Sequence, residues 1–246
     1  VVAGIAEQSV VARLAQQAVI AGAAQQAVIA GATVHGVVAG ATLDGVITDT
    51  AEFHFLAWQQ LAAELGIGFS RHDNEQLKGV SRADSLTFIL GLANKTLSTE
   101  QFNEDLRRKN EWYLELVKDM GPLDVLPGVP SFFAEVAARK IPLALGSASK
   151  NANMVLTRVG LIQAFDAIVD ASQVSQGKPH PETFIKAAEL LGIAPENCLV
   201  FEDSAAGVQA AISGGMKAVG IGSAEDLPGA AIHLANLGEF DFTNFS

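Results

Sequence analysis

From Pro127-Gly128 onward the chain alternates short apolar runs with helical stretches, and this alternation leaves few folds open. A helix near 129–139 leads to the strand Pro142-Leu143-Ala144-Leu145-Gly146 and a polar turn, Ser147-Ala148-Ser149-Lys150. A helix over 151–160 precedes Ala167-Ile168-Val169, one over 182–191 precedes Leu199-Val200-Phe201, and one over 204–213 precedes Ala218-Val219-Gly220-Ile221. Strands alternating with helices build right-handed βαβ units and a parallel sheet. The expected fold class is α/β, with a doubly wound, Rossmann-like parallel sheet.

Residues 51–122 contain no convincing strand. Between residues 50 and 66, Phe53, Leu56, Ala57, Leu61 and Leu65 recur at helical spacing, and Gly66 suits a C-terminal cap. Ser98-Thr99-Glu100-Gln101 has the capping-box pattern and opens a helix that runs past Trp112, Tyr113 and Leu116. The expected organisation is a repetitive extension over 1–33, a core over 34–49 and 124–246, and a helical cap domain over 50–123 inserted after the first strand. Trp58 and Trp112 are expected to pack inside that cap rather than to meet a ligand. The first strand is expected at 37–41, although Ala39, Gly40 and Ala41 are weak strand formers.

The N-terminal region is of another kind. Ala-Gln-Gln-Ala-Val-Ile-Ala-Gly-Ala at 15–23 recurs unchanged at 24–32. As a helix, nine residues turn through about 900°, so successive Val-Ile pairs fall on opposite faces. As a β-solenoid, the repeat lacks turn-forming chemistry for its corners. It reads either as a low-complexity extension without catalytic duty or as a self-association segment over 1–41, on a core expected to be a monomer. The net charge of −11 argues against nucleic acid or an anionic membrane as partner. No apolar run reaches the roughly 18 residues of a membrane span. Cys198, the single cysteine, sits in the strand-like Asn197-Cys198-Leu199-Val200-Phe201. No internal disulfide is possible and no secretory leader is visible, which suits the cytoplasm.

Polar residues follow each core strand. Thr42, Asp44 and Thr48 come after the first, Ser147-Ala148-Ser149 after the second, and Glu202-Asp203-Ser204 after the strand ending at Phe201; Lys178 lies in Gly177-Lys178-Pro179. In a parallel sheet these positions converge on one edge. Taken singly, each has an ordinary structural use as a capping Ser, a solvated Lys or an acidic N-cap. Together and in this order they resemble the four motifs of the haloacid-dehalogenase superfamily. The first motif of that family, Asp-x-Asp-Gly, reads here as Thr42-Leu43-Asp44-Gly45. Asp44-Gly45-Val46-Ile47-Thr48-Asp49-Thr50 followed by His54 and Trp58 resembles the β-phosphoglucomutase branch. So do Glu75-Gln76-Leu77-Lys78-Gly79-Val80-Ser81-Arg82-Ala83-Asp84-Ser85 and Ser147-Ala148-Ser149-Lys150-Asn151. The similarity covers roughly residues 42 to 225.

The resemblance implies a Mg²⁺-dependent phosphosugar mutase that converts β-D-glucose 1-phosphate to glucose 6-phosphate through an aspartyl phosphate and a bisphosphate. It implies Asp44 as general acid and base, with Thr50 and His54 closing the cap and positioning it. Lys78 and Arg82 would hold the distal phosphate, with Ser85 and Asn151 nearby. Ser147 and the Ala148 N–H would bond the transferring phosphoryl group, and Lys178 would add positive charge. Glu202 and Asp203, beside the backbone carbonyl of Asp44, would supply the oxygen ligands that Mg²⁺ favours. The departure is at the nucleophile position, which is Thr42. A Thr hydroxyl is not ionised at neutral pH, and its phosphate ester is far less labile than an acyl phosphate. Impaired catalysis is therefore expected. The alternatives are an inactive sugar-phosphate-binding protein, a phosphatase of the same superfamily, or an assembly protein driven by the repeat.

Overall fold

Six parallel strands form one sheet in the computed structural model, which describes residues 36–40 and 45–242. The repeat at 1–33, Thr42 and Asp44 lie outside the described residues. The strands are β1 (Gly36–Gly40), β2 (Leu143–Gly146), β3 (Ala167–Val169), β4 (Cys198–Glu202), β5 (Lys217–Ile221) and β6 (Ile232–Leu234). Their spatial order is β3-β2-β1-β4-β5-β6, with every neighbouring pair parallel. The order reverses at β1, so the crevice beyond the carboxyl ends of β1 and β4 is where such a sheet takes a ligand.

The weak strand formers near residue 40 are overruled by position. β1 pairs on both sides, Val37 opposite Leu143 of β2 and opposite Leu199 of β4, so two formed strands template its backbone. The other central strands alternate between two apolar layers. Leu143, Leu145, Leu199, Phe201 and Val219 join the layer of α5 (Val129–Ala138) and α6 (Ala152–Arg158). Ala144, Val200 and Ala218 join the layer of α7 (Glu182–Leu191) and α8 (Ala205–Ser213). A parallel sheet covered on both faces reads in sequence as a continuous apolar run. β6 was not expected: no helix separates it from β5, and a three-residue Ile-His-Leu strand has no periodicity to read.

Between β1 and β2 lie α1 (Ala51–Glu64), α2 (Arg71–Glu75), α3 (Arg82–Gly91) and α4 (Thr99–Leu116). Gly66 follows the end of α1 at φ +66°, a left-handed conformation that glycine adopts without strain. Ser98 caps α4, accepting a hydrogen bond from the Gln101 N–H at 3.2 Å. This insert has its own core of Phe55, Leu61, Leu86 and Ile89. The two strands of chain that join it to the sheet lie side by side: Leu126 N–H bonds Ile47 O at 2.9 Å, and Thr48 Oγ1 donates to Asp124 O at 2.7 Å. Among the described residues no helix is long and apolar enough to cross a membrane.

Phe132 of α5 is 2% exposed and meets Phe201 at 4.9 Å, Phe242 at 5.2 Å and Phe240 at 5.9 Å between ring centroids. Truncation leaves a cavity this cluster cannot refill. Phe132→Ala is expected to lower the free energy of unfolding by about 3–5 kcal/mol, measured by urea titration.

Candidate active site

The floor of the site is built at the carboxyl ends of β2 and β4. Glu202, the last residue of β4, is fully buried. Lys178 Nζ lies 3.2 Å from its Oε2, 3.3 Å from Gly146 O, and 4.6 Å above the Phe184 ring. Ser204 Oγ donates to Oε1 of the same carboxylate and accepts from the Gly207 N–H at 3.1 Å, so one hydroxyl caps α8 and holds Glu202. Gly207 has to be glycine, because a Cβ there would stand 1.9 Å from Glu202 Oε1.

Asp203 stands at the rim. Gly45, at φ +78°, presses its backbone on this side chain; a Cβ on Gly45 would fall 2.1 Å from Oδ2. The loop after β1 is thereby held against the acidic pair after β4. Both carboxylates offer hard oxygen donors, the chemistry Mg²⁺ favours. The hydrogen bonds to Glu202 use one direction on each oxygen, and a carboxylate has about four lone-pair sites. Among the described residues no three His, Cys, Asp or Glu side chains converge as a metal group.

After β2 the chain folds into a ladder of short turns. Ser147 is fully buried, and its Oγ accepts from the Ser149 N–H at 3.1 Å. Ser149 Oγ in turn accepts from the Asn151 N–H at 3.2 Å. The Asn151 side-chain amide crosses to the helical insert and donates to Asn110 Oδ1 at 2.9 Å.

The insert closes over this floor. Gly79, at φ +73°, sits against Ser204: a Cβ there would be 2.5 Å from Ser204 Oγ. A cavity of about 450 Å³ remains between the two parts. His54, Trp58, Lys78, Arg82, Ser85 and Lys109 line it from the insert, and Ala148, Ser149, Lys150 and Asp203 from the sheet edge. Thr50, Ser147, Lys178 and Glu202 are buried and outside that lining, and Asn151 is engaged with Asn110. Ser85 Oγ donates to Ser81 O at 2.8 Å. Trp58, expected as packing alone, both joins the insert's core and walls the cavity, whereas Trp112 carries the Arg108 guanidinium at 5.0 Å.

Charge in the cavity is set largely by burial. Lys109, 1% exposed, bonds His54 Nδ1 at 2.7 Å and lies over the Trp58 and Tyr113 rings at 4.6 and 5.1 Å. Burial, then the positive charges of Lys109 and Arg82, hold the His54 imidazole well below its ordinary value, so it is neutral and its Nδ1 accepts from the ammonium. His54 also stacks on Tyr113 at 4.0 Å, and the Tyr113 hydroxyl reaches Thr50 Oγ1 at 3.4 Å. Burial lowers the Arg82 guanidinium from its ordinary value without neutralising it. Among the described residues no carboxylate lies within ion-pair distance of it. For Lys78, burial pulls the ammonium down, but the bond to Glu75 at 2.6 Å and the charges of Glu75, Asp203 and Asp226 outweigh it and raise the pKa.

Lys109, Asn110 and Tyr113 were missed from sequence because Arg107-Arg108-Lys109 reads as a solvated charge run. The usable signal was the spacing Asp105, Lys109, Tyr113: every fourth residue, one helix face, and all three buried.

A family model for haloacid dehalogenase-like hydrolases matches residues 43–215. The chain is 43% identical over 186 residues to β-phosphoglucomutase of Bacillus subtilis, covering 75% of this chain and 82% of that protein. It is 32% identical over 176 residues to fructose-1-phosphate phosphatase of Escherichia coli, covering 71% and 90%. Among solved structures, β-phosphoglucomutase of Clostridium difficile superposes with a TM-score of 0.82 at 39% identity, covering 85% of this chain and 94% of that one.

Two outcomes are expected. His54 has a depressed folded pKa, so the unfolded chain binds its proton first, and stability is present above pH 6.5 and lost as pH falls below it towards the folded value. Thermal unfolding across this window is expected to carry a slope of up to about 1.4 kcal/mol per pH unit that His54→Gln removes. Lys178→Met strands the Glu202 charge and is expected to cost about 3–5 kcal/mol in denaturant unfolding, most of it recovered in Lys178→Met with Glu202→Leu.

Proposed function

The chain belongs to the haloacid dehalogenase-like hydrolase family, and from that premise we propose a Mg²⁺-dependent phosphosugar mutase scaffold for β-D-glucose 1-phosphate, impaired here at Thr42. One observation carries the mutase reading. Arg82 is a half-buried guanidinium without a carboxylate partner among the described residues, and it lines one cavity with the Ala148–Lys150 stretch of the sheet edge. A phosphatase needs an anion site only where phosphorus is attacked, whereas a mutase must also grip the phosphate at the far end of the sugar. The cavity volume of about 450 Å³ lies in the range of small-ligand sites.

In this reading one phosphoryl group meets the Ser147 hydroxyl and the Ala148 N–H at the sheet edge, and Lys178 contributes positive charge from behind. The other phosphate is held by Arg82 and Lys78, with Ser85 and Asn151 beside them. Asp44 protonates the leaving sugar oxygen and later takes the proton from the attacking hydroxyl. Thr50 and His54 keep the closed insert in register with it. Mg²⁺, held by Glu202 and Asp203 with the Asp44 carbonyl, would screen the negative charges of phosphate and carboxylates from one another. Thr42 stands where the family has a carboxylate nucleophile. Its hydroxyl keeps its proton at neutral pH, so attack on phosphorus stalls and the sugar phosphate is bound without efficient turnover. The cytoplasm suits such a substrate.

The test follows glucose 6-phosphate formation from β-D-glucose 1-phosphate with Mg²⁺ and a trace of glucose 1,6-bisphosphate. The unaltered chain is expected near background, and Thr42→Asp at least about 100-fold above it. Unaided turnover by the unaltered chain would place the nucleophile elsewhere. Inactivity of both, or release of inorganic phosphate by Thr42→Asp in place of isomerisation, would sink the mutase assignment.

A further inference from the structure

Two of the polar contacts between the long helix of the insert, α4, and the sheet domain differ in kind. Near the linker, Arg158 Nη1 of α6 donates to the backbone carbonyl of Val117, the C-cap of α4, at 2.8 Å. Seven residues earlier, Asn110 Oδ1 accepts from the Asn151 side-chain amide at 2.9 Å. Seven residues are close to two helical turns, so both contacts lie on one stripe of α4, about 10 Å apart along its axis. Val117 leads directly into the linker that pairs with residues 47 and 48, so its end is the fulcrum. Asn110 lies further out along the lever, where any swing of the insert must separate the pair.

Asn110 also ends a chain of bonds that begins in the floor of the site. Ser147, Ser149 and Asn151 are linked hydroxyl to N–H in consecutive turns, and the Asn151 amide is the rung that crosses to the insert. The stretch ordered in this way, Ala148 to Lys150, lines the cavity beside Asp203. We propose that Asn110 is a positioning residue: it latches the closed insert to Asn151 and orders the anion-binding loop 147–151. Asn110 touches neither the reacting atoms nor the cavity lining. It acts through Asn151 by holding one amide hydrogen and so fixing where the rest of that side chain and its backbone N–H point. The ligand it serves is a sugar bearing two anionic groups, one at each end of the cavity, and this part of the inference rests on the mutase reading.

Asn110→Leu keeps the size of the side chain and removes the acceptor. Hydrogen exchange on the ligand-free chain is expected to show the Ser149 and Asn151 amides exchanging at least about 10-fold faster, with the amides of β2 and the melting temperature unchanged. Calorimetry is expected to show weaker binding of glucose 1,6-bisphosphate by about 10-fold, and a smaller loss for inorganic phosphate, which does not need both poles held together. Unchanged exchange at both amides overturns the latch, as does equal acceleration throughout the insert and β2. If the unaltered chain binds no bisphosphate, the mutase reading fails, and the exchange measurement still decides the latch.

Discussion

A carboxylate with no exposed surface survives at the end of β4 only because an ammonium faces it. The Glu202–Lys178 pair at 3.2 Å is the interaction on which the edge of the sheet depends. Its remaining bonds reach in every direction: Lys178 to the last carbonyl of β2 and the face of Phe184, Glu202 to the N-cap of α8 through Ser204. Two strands and the starts of two helices are thereby held in one geometry. The glycine at 207 is part of the same constraint, since the carboxylate occupies the space its side chain would need. Such a pair adds little net stability over apolar packing, but it fixes the positions of charge at the sheet edge.

Closure of the insert is the second constraint, and it follows from small residues. Gly79 lets the 77–81 turn lie on Ser204, and Gly45 lets the loop after β1 lie on Asp203. Each contact brings backbone to a distance that any Cβ would forbid. The closed arrangement encloses Arg82 and the Lys109–His54 pair. Burial leaves His54 neutral, whereas the half-buried Arg82 keeps its charge.

At one position the sequence departs from the family's first motif, since Asp-x-Asp-Gly reads here as Thr42-Leu43-Asp44-Gly45. A Thr hydroxyl at neutral pH carries neither the negative charge nor the nucleophilicity of a carboxylate, while the Lys178–Glu202 pair and the Gly45 contact with Asp203 are made by other residues. Folding is distributed over many contacts, whereas nucleophilic attack rests on a single ionised oxygen.

The sequence alone determined the layered α/β architecture, because buried parallel strands are continuous apolar runs and the helices between them are amphipathic. It also determined which polar residues meet at the sheet edge, since parallel strands present all their carboxyl ends on one side. It could not report β6, whose three residues carry no periodicity, nor the strength of β1, whose partners arrive more than a hundred residues later. Lys109 and Asn110 stayed hidden in a charged run because their burial depends on how α4 lies across the site. The division of labour at the edge was likewise a tertiary matter. Only packing decides that Lys178 and Glu202 sit behind the cavity while Arg82 lines it, because burial and pairing are properties of neighbours distant in the chain.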